Sequence, residues 1–338
     1  MNPWRRAGLT VLGVCLCLSL FFGFRYVRVH GAFESVDLIT PGLCRPIAKG
    51  LIAQDLEIDP THNVILVSGT RQGSGDGLYR LKLDDPAAAP VKLAGTSADF
   101  HPAGISLYRG PDGSETLMTI NHHSAGSEAV DVFTLTFDGE TPKLAEQIMV
   151  RGRLLVSPHD LAAVSSDRFY LANDHVTENA FARFAEDYLL WPHDDVLLFS
   201  GTGLRIAVQR IASARGALVT PDGRFLYVTT ANDRRLLAFN IEPFTGNLSE
   251  LGSLALPAQL GDISRDGQGN LIIAGSIKPG AAQVFRVALG RDGVPQSFDT
   301  VFSDDGRTLK GADSAVVQGG HLFVASAGDD HMLECAMK

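Results

Sequence analysis

Asp55, Asp160, Asp262 and Asp313 each open a short alternating apolar stretch, and in two of the four the residue before the acid also carries a polar side chain: Gln54 before Asp55 and His159 before Asp160. Two further stretches of the same kind open on Ala103-Gly104 and Arg215-Gly216. Carboxylates brought together in this way repel one another unless a cation or a basic side chain stands between them. Outside the cell the natural guest of carboxylate and backbone carbonyl oxygens is calcium. Histidines lie close by in the chain, in "INHH" at 120–123 and "SPHD" at 157–160, and could supply acid–base chemistry.

The elements that must position these residues form a repeat. The stretches begin at residues 55, 104, 160, 216, 262 and 313, giving spacings of 49, 56, 56, 46 and 51. Each has an alternating strand, a turn rich in Asp, Gly, Pro, Ser or Asn, and a second β-branched or aromatic strand, as in "GALVTPDGRFLYVTTA". Strand-like runs such as "GLYRLKL", "AVDVFTLTF" and "RLLAFNIE" fill the intervals, so every unit has room for about four strands. A unit of this length and content is a propeller blade. The fold predicted is all-β, a six-bladed β-propeller over residues 31–338, with the start of each innermost strand facing one mouth of a central channel. One helical insert interrupts it: in 177–195, Phe181, Phe184, Tyr188 and Trp191 recur three or four apart and Pro192 ends the run. Two roles fit it, packing against the blades or lying over the mouth as a lid or membrane contact.

Residues 1–30 behave differently. Arg5 and Arg6 precede an uncharged run from Ala7 to Phe24, and Arg25 and Arg28 follow it. Eighteen residues reach the lower limit of a bilayer span, and no small-residue cleavage site follows, so an uncleaved signal anchor is expected, with the body extracytoplasmic, on the periplasmic or extracellular side. Cys15 and Cys17 lie inside that run, whereas Cys44 and Cys335 bracket the folded part. An oxidising compartment lets the latter two pair; two separate buried thiols are the other reading.

Several function classes drop out. With 338 residues, 45% hydrophobic and 20% charged, the chain can bury a large core, and a net charge of −9 with no basic run offers no footprint for nucleic acid. "GSGDG" at 73–77 opens a strand rather than a helix, so it is no dinucleotide loop, and no Gly-x-Ser-x-Gly elbow is present. His123, His175, His193, His321 and His331 read as solvated or hydrogen-bonded side chains.

Six stretches, "CRPIAKGLIAQDLEI", "FHPAGIS", "INHH", "HDLAAVSSDRFYLANDH", "TPDGRFLYVTTA" and the terminal "MLECAMK", together resemble the paraoxonase/arylesterase family of calcium-dependent lactone and ester hydrolases. The resemblance covers roughly residues 40–338. It implies a disulfide between Cys44 and Cys335 that closes the ring, and a helix over the active-site mouth. It implies a structural calcium held by Asp55, Asp160 and the carbonyl of Ile105. The family's catalytic calcium set falls on Gln54, His159, Arg215 and Gly261-Asp262, where Gln54 and Asp262 can still give oxygen but Arg215 is a permanent cation. Arg215 is expected to take that ion's place and pair with Asp262. Of the family's histidine dyad, one partner falls on His122 and the other on Ala103; His101 would point to the opposite strand face.

Three functions follow as expectations. The first is an exported, membrane-anchored hydrolase of small lactones or aryl esters, with His122, His159 and Arg215 as catalytic residues. The second is an inactive propeller that keeps one calcium and binds a ligand or protein at its top face. The third is a metal-free pocket in which Arg215, His159 and His122 take an anionic substrate.

Overall fold

The computed structural model describes residues 3–124, 126–139 and 141–337. The outermost positions of the two expected segments, Met1, Asn2 and Lys338, lie outside the described residues.

Six four-stranded antiparallel sheets form the body. Their innermost strands are Leu51–Asp59 (blade I), Pro102–Arg109 (II), Pro158–Ser165 (III), Ala214–Val219 (IV), Gln259–Arg265 (V) and Ser314–Gln318 (VI). The second strand of each blade is almost wholly buried, as the apolar runs that open Val64–Arg71 ("VILV") and Phe225–Thr230 ("FLYV") require, since both of its faces pack against neighbouring blades. Each of the six core clusters joins two adjacent blades: Leu51, Val67, Val316 and Phe323 link blades I and VI, and Tyr170, Leu198, Leu226 and Phe239 link III and IV. The core is therefore six wedges around a channel.

Blade VI closes the ring. Its outer strand is Cys44–Ile47 from the N-terminal side, paired with the C-terminal Met332–Ala336 in the register Cys44↔Cys335, and these two cysteines are disulfide-bonded. Of the two readings open for them, the paired one holds.

At the ring, the innermost strands of blades I to V are bulged. Register shifts fall between Ala53 and Asp55, Pro102 and Ile105, Pro158 and Asp160, Ala214 and Ala217, and Leu260 and Ile263. A bulge re-aims side chains out of the normal alternation. Neighbouring strands also touch here: a Cβ on Gly104 would lie 2.7 Å from Cα of Asp160, and one on Gly216 would lie 2.8 Å from the carbonyl oxygen of Gly261. Only glycine fits at these two contacts.

Two helices complete the fold. α1 is Pro3–Val29, and within it Ala7–Val29, of mean hydropathy 2.2 and unburied, is long and apolar enough to cross a membrane. α2 is Ala180–Leu189, between the second and third strands of blade III, capped by Asn179, whose side chain accepts the amide of Ala182, and ended by Leu190 in the left-handed conformation. It is shorter than the 177–195 read from the sequence, because the third strand of the blade already begins at Asp194. None of its residues is buried, with Phe181 79% and Phe184 62% exposed, which excludes core packing as its role. It packs on α1: the Tyr188 hydroxyl donates to the carbonyl of Ser19 at 2.6 Å, and Arg25 donates to that of Leu189 at 3.5 Å.

Candidate functional site

Asp55, Asp160 and Asp262 meet in the channel, with one carboxylate oxygen from each lying within 4.8 Å of the others. The backbone holds two of them. Asp55 accepts the amides of Leu56 and Ile105 at 2.6 and 2.7 Å, and Asp160 those of Leu161 and Ala217, both at 2.7 Å. Asp262 accepts the Ser314 hydroxyl at 2.6 Å. Burial and then mutual repulsion push all three carboxyl groups well above the usual carboxylate range. Three acids in such a place fit a hard cation, which would relieve the repulsion and take carboxylate oxygens as ligands.

The trio separates two cavities. The upper one, of about 180 Å³, is lined by Gln54, His122, His159 and Asp313 as well as the trio. The lower, of about 540 Å³, is lined by Glu57, Ser106, Arg109 and Ser264. Glu57 rises to about 8, through burial and then the charge of Asp55.

The ring residues do not all stand as the sequence suggested. Asp262 joins Asp55 and Asp160 in one cluster. Ile105 reaches that cluster through its amide, which donates to Asp55. Arg215 does not pair with Asp262: its guanidinium lies 3.4 Å from Asp174, and its Nε donates to the Ser213 hydroxyl at 3.4 Å. The reason is local, since Asp174 directly follows the second strand of blade III and is held by its neighbours. Burial works against its ionisation, but His175, Arg215 and the Ser157 hydroxyl keep its carboxyl far below the usual range. His159, beside Arg215, is pushed down to about 3 by burial and then by that guanidinium, so it is a neutral imidazole.

His122 ends the second strand of blade II, and its Nδ1 lies 2.5 Å from Oε2 of Glu128. The sequence reading missed Glu128; the hairpin that places it opposite His122 was its only signal, with five residues between them. His101 is engaged elsewhere, with Asp76 on Nδ1 and Asp99 and Ser124 on Nε2. His175, read as an ordinary polar residue, is lifted to about 10 by Asp174 and then by Asp187 of α2, which lies 3.4 Å from its Nε2. The insert is thus tied electrostatically to the mouth of the channel.

A six-bladed propeller with an acid trio plugging its channel and a carboxylate-backed histidine above it defines a class of channel-site β-propellers. The chain belongs to the arylesterase family, whose model matches residues 68–336. Human serum paraoxonase/arylesterase 1 is 26% identical over 349 residues, 94% of this chain and 96% of that one. Human serum paraoxonase/lactonase 3 is 24% identical over 345 residues, again 94% and 96%. Among solved structures, the periplasmic gluconolactonase of Pseudomonas aeruginosa superposes with a TM-score of 0.52 at 15% identity, covering 83% of this chain and 80% of that one. The calcium-binding protein regucalcin from Agrobacterium tumefaciens gives 0.52 at 12%, covering 90% and 94%. At these identities the structural likeness speaks for the fold alone.

Proposed function

We propose that the chain hydrolyses small lactones or aryl esters in the upper cavity, with one calcium ion held by Asp55, Asp160 and Asp262, and that α1 anchors it on the extracytoplasmic side of a membrane. The observation that carries this reading is the acid trio forming the floor of a cavity whose wall includes His122. A bound calcium ion supplies polarisation of the ester carbonyl and stabilisation of the oxygen's developing charge. His122 takes the proton of the attacking water and returns it to the leaving oxygen. His159, neutral and half-buried in the cavity wall, offers a hydrogen bond to the substrate without competing for that proton. Gln54 adds a neutral carbonyl oxygen at the same wall. The disulfide and the relatives named as serum proteins support the oxidising side of a membrane for the body.

A second reading, favoured by Arg215, is a propeller that keeps the calcium and has lost hydrolysis, because a guanidinium paired with Asp174 stands beside the mouth where further oxygen ligands would be needed. A third reading is an altered enzyme in which Arg215, His159 and His122 form a metal-free pocket for an anionic substrate. Full-length protein in detergent, assayed on phenyl acetate and on a simple lactone with and without chelator, separates them. Chelator-sensitive turnover is expected. One bound calcium per chain with no turnover would overturn the hydrolase reading, and turnover indifferent to chelator would support the metal-free pocket.

A further inference from the structure

His122 and Glu128 face each other across the hairpin formed by Glu115–His122 and Glu128–Asp138, where they are directly opposed in register. Opposed residues of an antiparallel pair share one face and have their Cβ atoms within about 5.5 Å, so the pairing geometry itself brings the two side chains together. Nδ1 of His122 and Oε2 of Glu128 lie within hydrogen-bond reach, at 2.5 Å. His122 lines the upper cavity; Glu128 does not, and its side chain is the less exposed, at 21% against 42%. The carboxylate therefore sits behind the imidazole, away from the space a substrate would fill.

Other histidines at this end of the channel cannot take the same part. His101 and His175 have both ring nitrogens engaged by carboxylates, and His123 has Asp99 on Nδ1 and Arg151 near Nε2. Among the described histidines of this face, His122 combines a carboxylate on Nδ1, an Nε2 with no protein partner and a place in the cavity wall.

We propose that Glu128 is the positioning residue for His122: its carboxylate holds the proton on Nδ1, so that Nε2 presents its lone pair to the cavity. The family resemblance sets a second histidine at the position of Ala103, and the carboxylate from the adjoining strand fills that vacant role from behind instead. This rests on the hydrolase reading of the same cavity. In the step it serves, a water O–H bond breaks toward Nε2 while the water oxygen bonds to the carbonyl carbon. When the ester C–O bond then breaks, the same proton passes to the leaving oxygen, giving the carboxylic acid and the alcohol. Glu128 keeps its charge throughout, and the Nδ1–H bond stays intact.

The test uses the full chain in detergent, labelled with ¹⁵N-histidine, as wild type, Glu128→Ala and Glu128→Gln, with His122→Gln to assign the ring signals. In the wild type the His122 ring is expected as the Nδ1–H tautomer. Glu128→Ala should shift it toward a mixture and lower kcat by about tenfold or more with KM within about twofold, the pattern of a lost orienting group. Glu128→Gln keeps an acceptor and should restore the tautomer and part of kcat. An unchanged ring spectrum, or a wild-type kcat in Glu128→Ala, overturns the proposal. Where Glu128→Ala fails to fold, Glu128→Leu, which fills the space without an acceptor, takes its place, and a wild-type kcat there overturns the proposal equally. If the wild type hydrolyses neither ester nor lactone, the hydrolase reading fails, and the ring spectra alone decide whether Glu128 sets the state of His122.

Discussion

At the residue scale the acid trio is the centre of the molecule's chemistry, and its three members are not equivalent. Asp55 and Asp160 are each anchored by two backbone amides, whereas Asp262 depends on one hydroxyl, from Ser314. Asp262→Asn preserves that hydrogen bond and removes one negative charge, so it should weaken calcium binding by roughly tenfold, read by calorimetry, because ligand charge tunes affinity at such sites. An affinity equal to that of the wild type would place the ion elsewhere. The residues at blade starts were legible in the sequence as a recurring pair, and the meeting of Asp55 with Asp160 followed from the family pattern. The partnership of Arg215 with Asp174 was not, because the two lie in different blades and nothing local records which neighbour a bulged side chain will face. Glu128 went unread for a related reason: a glutamate at the foot of a hairpin looks like a solvated turn residue until the register is known.

At the scale of the element, α2 is held by charge rather than by burial. It buries none of its own residues, and its links to the blade include the Asp187–His175–Asp174 series and the Arg183 side chain, which donates to the carbonyls of Thr177 and Val156 at 2.6 and 3.3 Å. His175 is raised from 6.5 to about 10 in the folded protein, so the stability it contributes is complete below pH 6.5 and is lost as pH rises through about 10. Hydrogen exchange should show α2 amides losing protection as pH is raised from 8 to 11, beyond the intrinsic rise in exchange rate. His175→Gln should lose that protection already at neutral pH, by about tenfold. Equal protection in both proteins would assign the hold on α2 to its contact with α1. The helix itself was legible from its aromatic spacing, but its length was not. Trp191 continues the aromatic spacing, yet the chain must re-enter blade III at Asp194, and strand pairing of Asn173 with Asp195 overrides the periodicity.

For the molecule as a whole, the repeat in the sequence was sufficient to give the six blades, since each unit can bury its faces only against its neighbours. What the repeat could not show was the register in which the ends meet. The disulfide joins positions 291 residues apart, so it restrains a very long loop in the unfolded chain and also holds the one blade built from both ends. Cys335→Ser should cost about 2–5 kcal/mol in chemical denaturation, and reducing agent should produce the same loss in the wild type but none in the variant. The bond has another consequence, for a body exposed to proteases. From Cys44 to Cys335 the protein is a covalent circle, and a circle cut once is still a single thread. A protease that severs any one of the loops between blades leaves both products tethered, with the channel's six walls still in place, and the damage becomes visible only when the sulfur link is undone.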